Sequence, residues 1–393
     1  MTRSRALLTL IVLGLLVDGW LAASGALWYR TADFYCLREG ARLLAIGADP
    51  YDPQAWRPVI EALSPDPFRG SATSSCVARY ASPLWTAVVM LPFGVLPLEI
   101  SASLWMAVSI GGVVLGMHWI WAAVGGSARL APVFAACVVA SQPFWLLLVG
   151  GQVSGLLVGL VGAAAKLAAS GRHGSSGALL AALVLKPQVA GAFVPAILMR
   201  EALRGRTRPL IGAALMAAAL LGASLVLRPT WPAGWLDEVG GRRLGYAGLL
   251  PSAWGLANDL FGSIAWAPAF IGAAVLVVAA IVRHRPLGPI TFAALALPLS
   301  LFAMPHIWSY DFLVLALPWG VALALADRLA GARRTVMLAT TVLVASLVPW
   351  SLFAVGIIRG QENWSALVPV ATALLVAAAH RLSNVRIISE PST

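Results

Sequence analysis

Apolar residues run through the chain in blocks of roughly twenty, the length an α-helix needs to cross the hydrocarbon of a bilayer. The blocks fall near residues 6–28, 83–98, 100–124, 130–149, 151–170, 177–199, 209–227, 263–282, 287–304, 311–326, 335–358 and 364–380. They predict an all-α polytopic membrane protein, one integral domain over 1–393 with about twelve transmembrane helices. The longest polar interval, 29–82, follows the first block. In it Phe34, Leu37, Ala41 and Leu44 recur at helical spacing while Arg38, Glu39 and Arg42 fall on another face. That spacing predicts a short amphipathic helix lying on the membrane surface. Thr31 caps its start, Gly47 ends it, and Asp49-Pro50-Tyr51-Asp52-Pro53 bars its continuation. Asp33 falls in the first turn, where the peptide dipole favours a charged carboxylate, a group fit to act as a general base.

Charge sets the expected orientation. Arg3 and Arg5 precede the first block, which reads as a retained signal anchor with a cytoplasmic N-terminus. Arg200/Arg204/Arg206/Arg208, Arg283/Arg285, Arg328/Arg333/Arg334 and Arg381/Arg386 then alternate onto the cytoplasmic side, placing 29–82, 228–262, 305–310 and 359–363 outside. The stretch 83–170 stays open by one crossing: the segment around Pro92 and Pro97 reads as a span or a re-entrant hairpin, and only Gly150-Gly151-Gln152 separates two runs.

Composition agrees with a membrane protein. Of 393 residues 60% are hydrophobic and 11% charged, more apolar sequence than a soluble core of that length buries. The net charge of +11 is spread over connecting loops and forms no run, so nucleic acid is not an expected partner. Cys36 and Cys76 share the first polar interval and are able to form a disulfide if it faces an oxidising compartment; Cys137 lies in an apolar block.

Polar groups within apolar blocks are the first candidates for chemistry. Asp18 lies in the first block and Lys186, in Leu185-Lys186-Pro187-Gln188, near the middle of 177–199. They read either as buried charges that neutralise each other or other partners, or as functional groups. Pro187 frees a carbonyl in the preceding turn, which is tolerated best beside a polar cavity, and a lysine lining such a cavity suits a lipid-carrier phosphate. The second concentration is Met304-Pro305-His306-Ile307-Trp308-Ser309-Tyr310-Asp311. Trp308 reads as an interfacial anchor. His306 is fit to donate to a phosphate or hold an acceptor hydroxyl, Asp311 to orient neighbours or cap the next helix, and Tyr310 to contact substrate. Gln152, Gln188 and Tyr80-Ala81-Ser82-Pro83 are weaker candidates and read more simply as turn or packing features. The sequence has no Asp-x-Asp pair, Cys-x-x-Cys pair, helically spaced His pair or Gly-rich phosphate loop, so neither a metal nor another cofactor is expected.

Taken in order, these residues resemble glycosyltransferase family 87: Ala-Asp-Phe-Tyr after the first block, Gly-Ala-Asp-Pro-Tyr-Asp-Pro, Tyr-Ala-Ser-Pro-Leu, the Gly-Gln break, Leu-Lys-Pro-Gln and the late Pro-His-x-x-x-Tyr-Asp, from about residue 29 to 316. The resemblance implies a GT-C-type bundle in a bacterial cell membrane and a polyprenyl-phosphate sugar donor, with mannose the first candidate. It implies transfer to a glycolipid or glycan acceptor on the non-cytoplasmic face. Asp33 matches the family's general base, His306 its late histidine near the reaction centre, and Lys186 the lysine of its Lys-Pro motif. Arg38 and Arg79 are further candidates for the donor phosphate. The competing expectation is a lipid or solute transporter with Asp18 and Lys186 as coupling sites, but no paired interrupted spans stand in matching halves.

Overall fold

The structure, a computed structural model, describes residues 33–62, 80–240, 244–284 and 286–383. The predicted anchor with Asp18, the capping Thr31, and Cys76 and Arg79 lie outside the described residues. Among the described residues the chain is helical with no strand. In chain order the helices are α1 Asp33–Ala45, α2 Pro53–Glu61, α3 Leu84–Gly94, α4 Leu98–Val124, α5 Ala131–Val139, α6 Gln142–Gly150, α7 Ser154–Ala169, α8 His173–Ala182, α9 Pro187–Ala190 and α10 Phe193–Leu203. They continue as α11 Arg208–Leu227, α12 Trp231–Glu238, α13 Ala253–Phe261, α14 Ala267–Val282, α15 Pro289–Ala303, α16 Ala316–Ala326, α17 Gly331–Val342, α18 Val348–Arg359 and α19 Leu367–Leu382.

Among the described residues, six apolar stretches have the length of a full span: α4, α11, Ile264–Val282, Ser309–Ala326, Gly331–Arg359 and Asn363–Leu382. The α5–α6 pair, bent by 54°, makes a seventh if it is one broken span. Of the other predicted blocks, 6–28 lies outside the described residues and the rest fall on apolar helices, but α3, α7, His173–Leu185 and α15 are too short to count by length, so among the described residues the predicted twelve is not reached on that measure. Breaks explain part of the shortfall. Gly151, at φ +59°, separates α6 from α7, and Pro187 divides the predicted 177–199 block.

The chain divides into two compact units. The first comprises Met1–Val114, Leu146–Leu156 and Leu215–Leu244. Its α1 ends just before the predicted stop at Gly47 but does not lie on a surface, because Arg38 and Glu39 are only 8% and 3% exposed. The helix is enclosed because α3 packs along it, and Gly94 presents no side chain where Ala41 approaches: a Cβ there would lie 2.8 Å from the Ala41 carbonyl carbon. The buried charges are neutralised locally. Arg38 pairs with Glu39 and donates to the Leu96 carbonyl at 2.6 Å, while Arg42 Nε donates to Glu39 at 2.5 Å. The face that looked polar in the sequence thus buries Arg38 and Glu39 in an ion network that Arg42 joins from its partly exposed edge.

Beyond α1 the chain turns through Asp49–Asp52. Asp52 caps α2 by accepting from Gln54 N at 3.0 Å, with Pro53 at the first helical position where its missing N–H costs nothing. Tyr80, 1% exposed, sits against Tyr51 and Trp56 at ring distances of 5.8 and 5.9 Å. Burial pushes its hydroxyl above the usual tyrosine range, so it stays a neutral phenol. The carbonyls of Ala81 and Ser82 accept from Trp235 Nε1 and Tyr51 Oη at 3.3 and 2.7 Å, so this segment is a tied-down turn.

The second unit comprises Leu115–Trp145, Leu157–Ala214 and Gly245–Thr393. Its axis is Ser309–Ala326, every residue of which is buried. An apolar sequence without a polar face suits a helix enclosed on all sides. Around it pack α5, α15, α17 and α19, and Trp319 Nε1 donates to Thr372 Oγ1 at 3.2 Å. On α4 and α7, Gly116 and Gly162 allow close backbone approach: a Cβ on either would lie 2.5 Å from a carbonyl oxygen of the facing helix. Small residues at such crossings replace the hydrophobic driving force that helices lack inside lipid.

Candidate functional site

The predicted 177–199 span is interrupted at its lysine. After α8 the chain tightens into a 3-10 turn, Leu183–Leu185, and Lys186 takes φ −132°, ψ 87° before Pro187 opens α9. A residue before proline is pushed out of the helical region, so Leu-Lys-Pro is the local cause of the break. Lys186, 7% exposed, is aimed at the start of the central helix. Its Nζ pairs with Asp311 Oδ1 and lies 4.2 Å above the centroid of the Tyr310 ring.

Asp311, wholly buried, sits in the 3-10 turn Ser309–Leu315 that leads into α16. It also accepts from Trp308 N at 3.2 Å, so one carboxylate fixes both the loop and the ammonium. Trp308 stacks on Tyr310 at 6.2 Å and 15°, and His306 stands edge-on to Trp308 at 6.4 Å. Upstream, Met304 packs on Gly191, a position where a side chain would collide with its thioether. Isolated ions cost several kcal/mol in such surroundings, which the Lys186–Asp311 contact offsets only as long as both partners are present.

Sequence reasoning missed two residues that hold this loop. Gln142, 1% exposed, donates from Nε2 to Ser309 Oγ at 3.0 Å, and Ser309 N donates to Glu362 Oε2 at 3.3 Å. The available signal for the first was Ser141-Gln142-Pro143, a polar step and a proline inside an apolar block. Glu362 carried no such signal, since its loop looked like an ordinary connection.

The structure therefore brings together Lys186, His306, Trp308, Tyr310 and Asp311, all in the second unit, with Gln188 half-buried two residues beyond Lys186. Asp33, Arg38 and Gln152 belong to the first unit. Asp33 is half-buried in the first turn of α1, as the sequence predicts. Gln152, 4% exposed, follows the left-handed Gly151, whose carbonyl accepts from Trp105 Nε1 at 2.6 Å. Arg38 pairs with Glu39 and donates to the Leu96 carbonyl. Cys36 is disulfide-bonded and Cys137 is a free buried thiol. Among the described residues no three His, Cys, Asp or Glu side chains converge in a metal-sized group.

The sequence pattern that defines glycosyltransferase family 87 matches residues 80–288, more than half of the chain. The chain belongs to glycosyltransferase family 87. Family 87 consists of GT-C-type membrane enzymes, and with its apolar helices this member is a multi-pass membrane glycosyltransferase. No curated protein sequence matches it. The matched stretch contains Gln152, Lys186 and Gln188; Asp33 precedes it and His306, Tyr310 and Asp311 follow it.

Proposed function

We propose that this family 87 enzyme transfers a sugar, with mannose the first candidate, from a polyprenyl phosphate to a glycolipid or glycan hydroxyl on the non-cytoplasmic face of a bacterial cell membrane. The observation that carries the reading is Lys186: a lysine at a helix break within the family-matched stretch, buried and held by Asp311 and the Tyr310 ring. Leaving a phosphate on the donor lipid demands cationic donors where its charge develops. Lys186 and His306 supply them. Asp311 holds the lysine in place, and the arriving phosphate shares its ammonium, which has three N–H donors in all.

Asp33 acts as general base. As the acceptor oxygen bonds to the anomeric carbon, its proton passes to the Asp33 carboxylate. The bond from that carbon to the phosphate oxygen breaks, and the electron pair leaves with the polyprenyl phosphate. A single displacement from the opposite face inverts the anomeric centre. The Asp33 position supports this role, because a first-turn carboxylate is favoured in its basic form. The arginine distribution supports the face, since it places 29–82 and 305–310 on the side opposite the arginine clusters.

The test is transfer by purified protein in nanodiscs, offered polyprenyl-phosphate mannose and membrane glycolipids, with Asp33→Asn alongside. Expected is transfer by wild type and a loss of about 10²–10⁴-fold in the variant, the usual contribution of a general base. A variant that folds, binds donor and transfers at the wild-type rate removes Asp33 from the mechanism.

A further inference from the structure

Ser309 is wholly buried and gripped twice. Gln142 Nε2 donates to its hydroxyl at 3.0 Å, and Glu362 Oε2 accepts from its backbone N–H at 3.3 Å. All three residues belong to the second unit, with Lys186 and the 304–311 loop. A buried amide costs free energy unless it is bonded, and an apolar side chain would fill the Gln142 position without that cost. Gln142 stands at the 54° bend between α5 and α6. That bend has its own ties: Ser141 Oγ donates to the Val138 carbonyl at 2.6 Å, and Trp350 Nε1, from α18, to the Ala140 carbonyl at 2.9 Å. The same α18 delivers Glu362. It ends at Arg359, which pairs with Asp259 at 2.9 Å, and Gly360, at φ +70°, turns the chain out of the helix. Asn363, wholly buried, then donates to the carbonyls of Gly255 and Gly248 at 3.3 and 3.4 Å. One helix thus supports both contacts to Ser309.

The division of labour between two carboxylates shows what the grip does. The first N–H groups of a helical segment find no partner within it. At the start of Ser309–Ala326, Asp311 Oδ2 accepts from Trp308 N at 3.2 Å and Glu362 from Ser309 N. Asp311 Oδ1 meets Lys186. Without Glu362 the Ser309 N–H competes with Lys186 for Asp311; without Gln142 the Ser309 side chain loses its anchor at the bend. Ser309 lies between Trp308 and Tyr310, so a rotation there carries their stacked rings and the Asp311 carboxylate with it.

We propose that Glu362 and Gln142 are positioning residues for sugar transfer. Acting through Ser309, they fix the Asp311 carboxylate and thereby the Lys186 ammonium at the place where the donor phosphate arrives. The inference rests on the role assigned to Lys186 above.

The experiment compares full-length wild type, Glu362→Leu, Glu362→Gln, Gln142→Leu, Ser309→Ala and Gln142→Leu/Ser309→Ala in nanodiscs with polyprenyl-phosphate mannose and membrane glycolipids. The two arms come from different segments, so a folding defect in one variant leaves the other to report. Expected for Glu362→Leu and Gln142→Leu is a fall in kcat of about 10- to 100-fold, the scale on which a misplacement of about 1 Å acts. KM stays near wild type, as for an interaction realised in the transition state. Glu362→Gln, whose amide oxygen still accepts from Ser309 N, keeps most of the wild-type kcat. Gln142→Leu adds no further loss to Ser309→Ala, because both remove the same contact. Variants that melt lower with kcat per folded molecule unchanged, a Glu362→Gln as damaging as Glu362→Leu, or losses that add in the double variant overturn the inference.

Reductive methylation of Lys186, read by mass spectrometry against the exposed Lys166, reports the same hold without any donor. Expected is several-fold faster labelling of Lys186 in Glu362→Leu and Gln142→Leu, with Lys166 unchanged. That result beside a wild type that transfers from no donor upholds the hold on Lys186 and overturns the transfer reading. Transfer by wild type, with kcat or Lys186 labelling untouched in both variants, overturns the inference and leaves the transfer reading standing.

Discussion

Lys186 and Asp311 meet in a buried ion pair formed where one helix is broken and the central helix begins. Lys186→Ala therefore strands a carboxylate and Asp311→Asn an ammonium, and each single change is expected to destabilise by about 3–5 kcal/mol. The double replacement Lys186→Met/Asp311→Leu recovers most of that stability. Thermal unfolding in detergent across the four proteins measures the coupling. Binding of sugar-free polyprenyl phosphate separates roles, since the stable double variant is expected to have lost it. Binding that survives in the double variant makes the pair purely structural.

Backbone contact between α4 and α7 makes a second prediction. At Gly116 a side chain meets the Val158 carbonyl, and backbone has nowhere to retreat without parting the helices. Gly116→Leu should lower stability by several kcal/mol, the upper range for overpacked sites. Gly111→Leu, where nothing lies within 4 Å of the added carbon, should leave the melting temperature near wild type. Equal melting curves for the two variants would remove the close crossing.

Acid sensitivity follows from Asp327, in the turn after α16. The neighbouring Ser127 hydroxyl holds its carboxyl below the usual value, with help from Arg334, whose Nη2 donates to it at 2.8 Å. With the folded pKa depressed, the stabilisation is fully present above the unfolded value of ~3.9 and is lost as pH falls through the folded value. Asp327→Asn should therefore flatten the fall in melting temperature between about pH 5 and pH 3, and leave the neutral-pH slope unchanged. The group is partly exposed, so the effect is small and best read as a difference between paired pH series.

The bonded state of Cys36 is checked by peptide mapping without reductant. A Cys36–Cys76 linked peptide is expected beside a free Cys137. Recovery of Cys36 as a free thiol under non-reducing conditions overturns it.

Much of the architecture was legible because lipid imposes one strong rule: apolar blocks of span length become helices. The blocks at 209–227, 263–282 and 364–380 fell on helices of that length. Less legible was where a block breaks. Leu-Lys-Pro announced its interruption through proline chemistry, and Ser141-Gln142-Pro143 marks the 54° bend in the same way, though the predicted 130–149 block ran through it. For α1 the periodicity was right and its meaning was not. A helix with charges on one face looks surface-bound until Arg38 and Arg42 prove to share the buried Glu39 carboxylate beside α3. The candidate site divides the same way. Lys186, His306, Tyr310 and Asp311 were visible as costly polar groups in apolar surroundings, but the partnership of Lys186 with Asp311 was not, because the sequence offered Asp18 as readily. Gln142 and Glu362 act on Ser309 from remote segments, which a single sequence does not reveal.

The complete burial of Ser309–Ala326 constrains the order of biogenesis. The helices that wrap it come from both sides of it in the chain, α5 and α15 before and α17 and α19 after. Synthesis delivers the early pair first, so the second unit has to wait as an open half-shell. The segment at its centre is apolar enough to rest against lipid until its later partners are made, and α19 closes the wall behind it. Chains truncated after Ala326 should then remain protease-sensitive across α15, and become resistant only once α19 has been made.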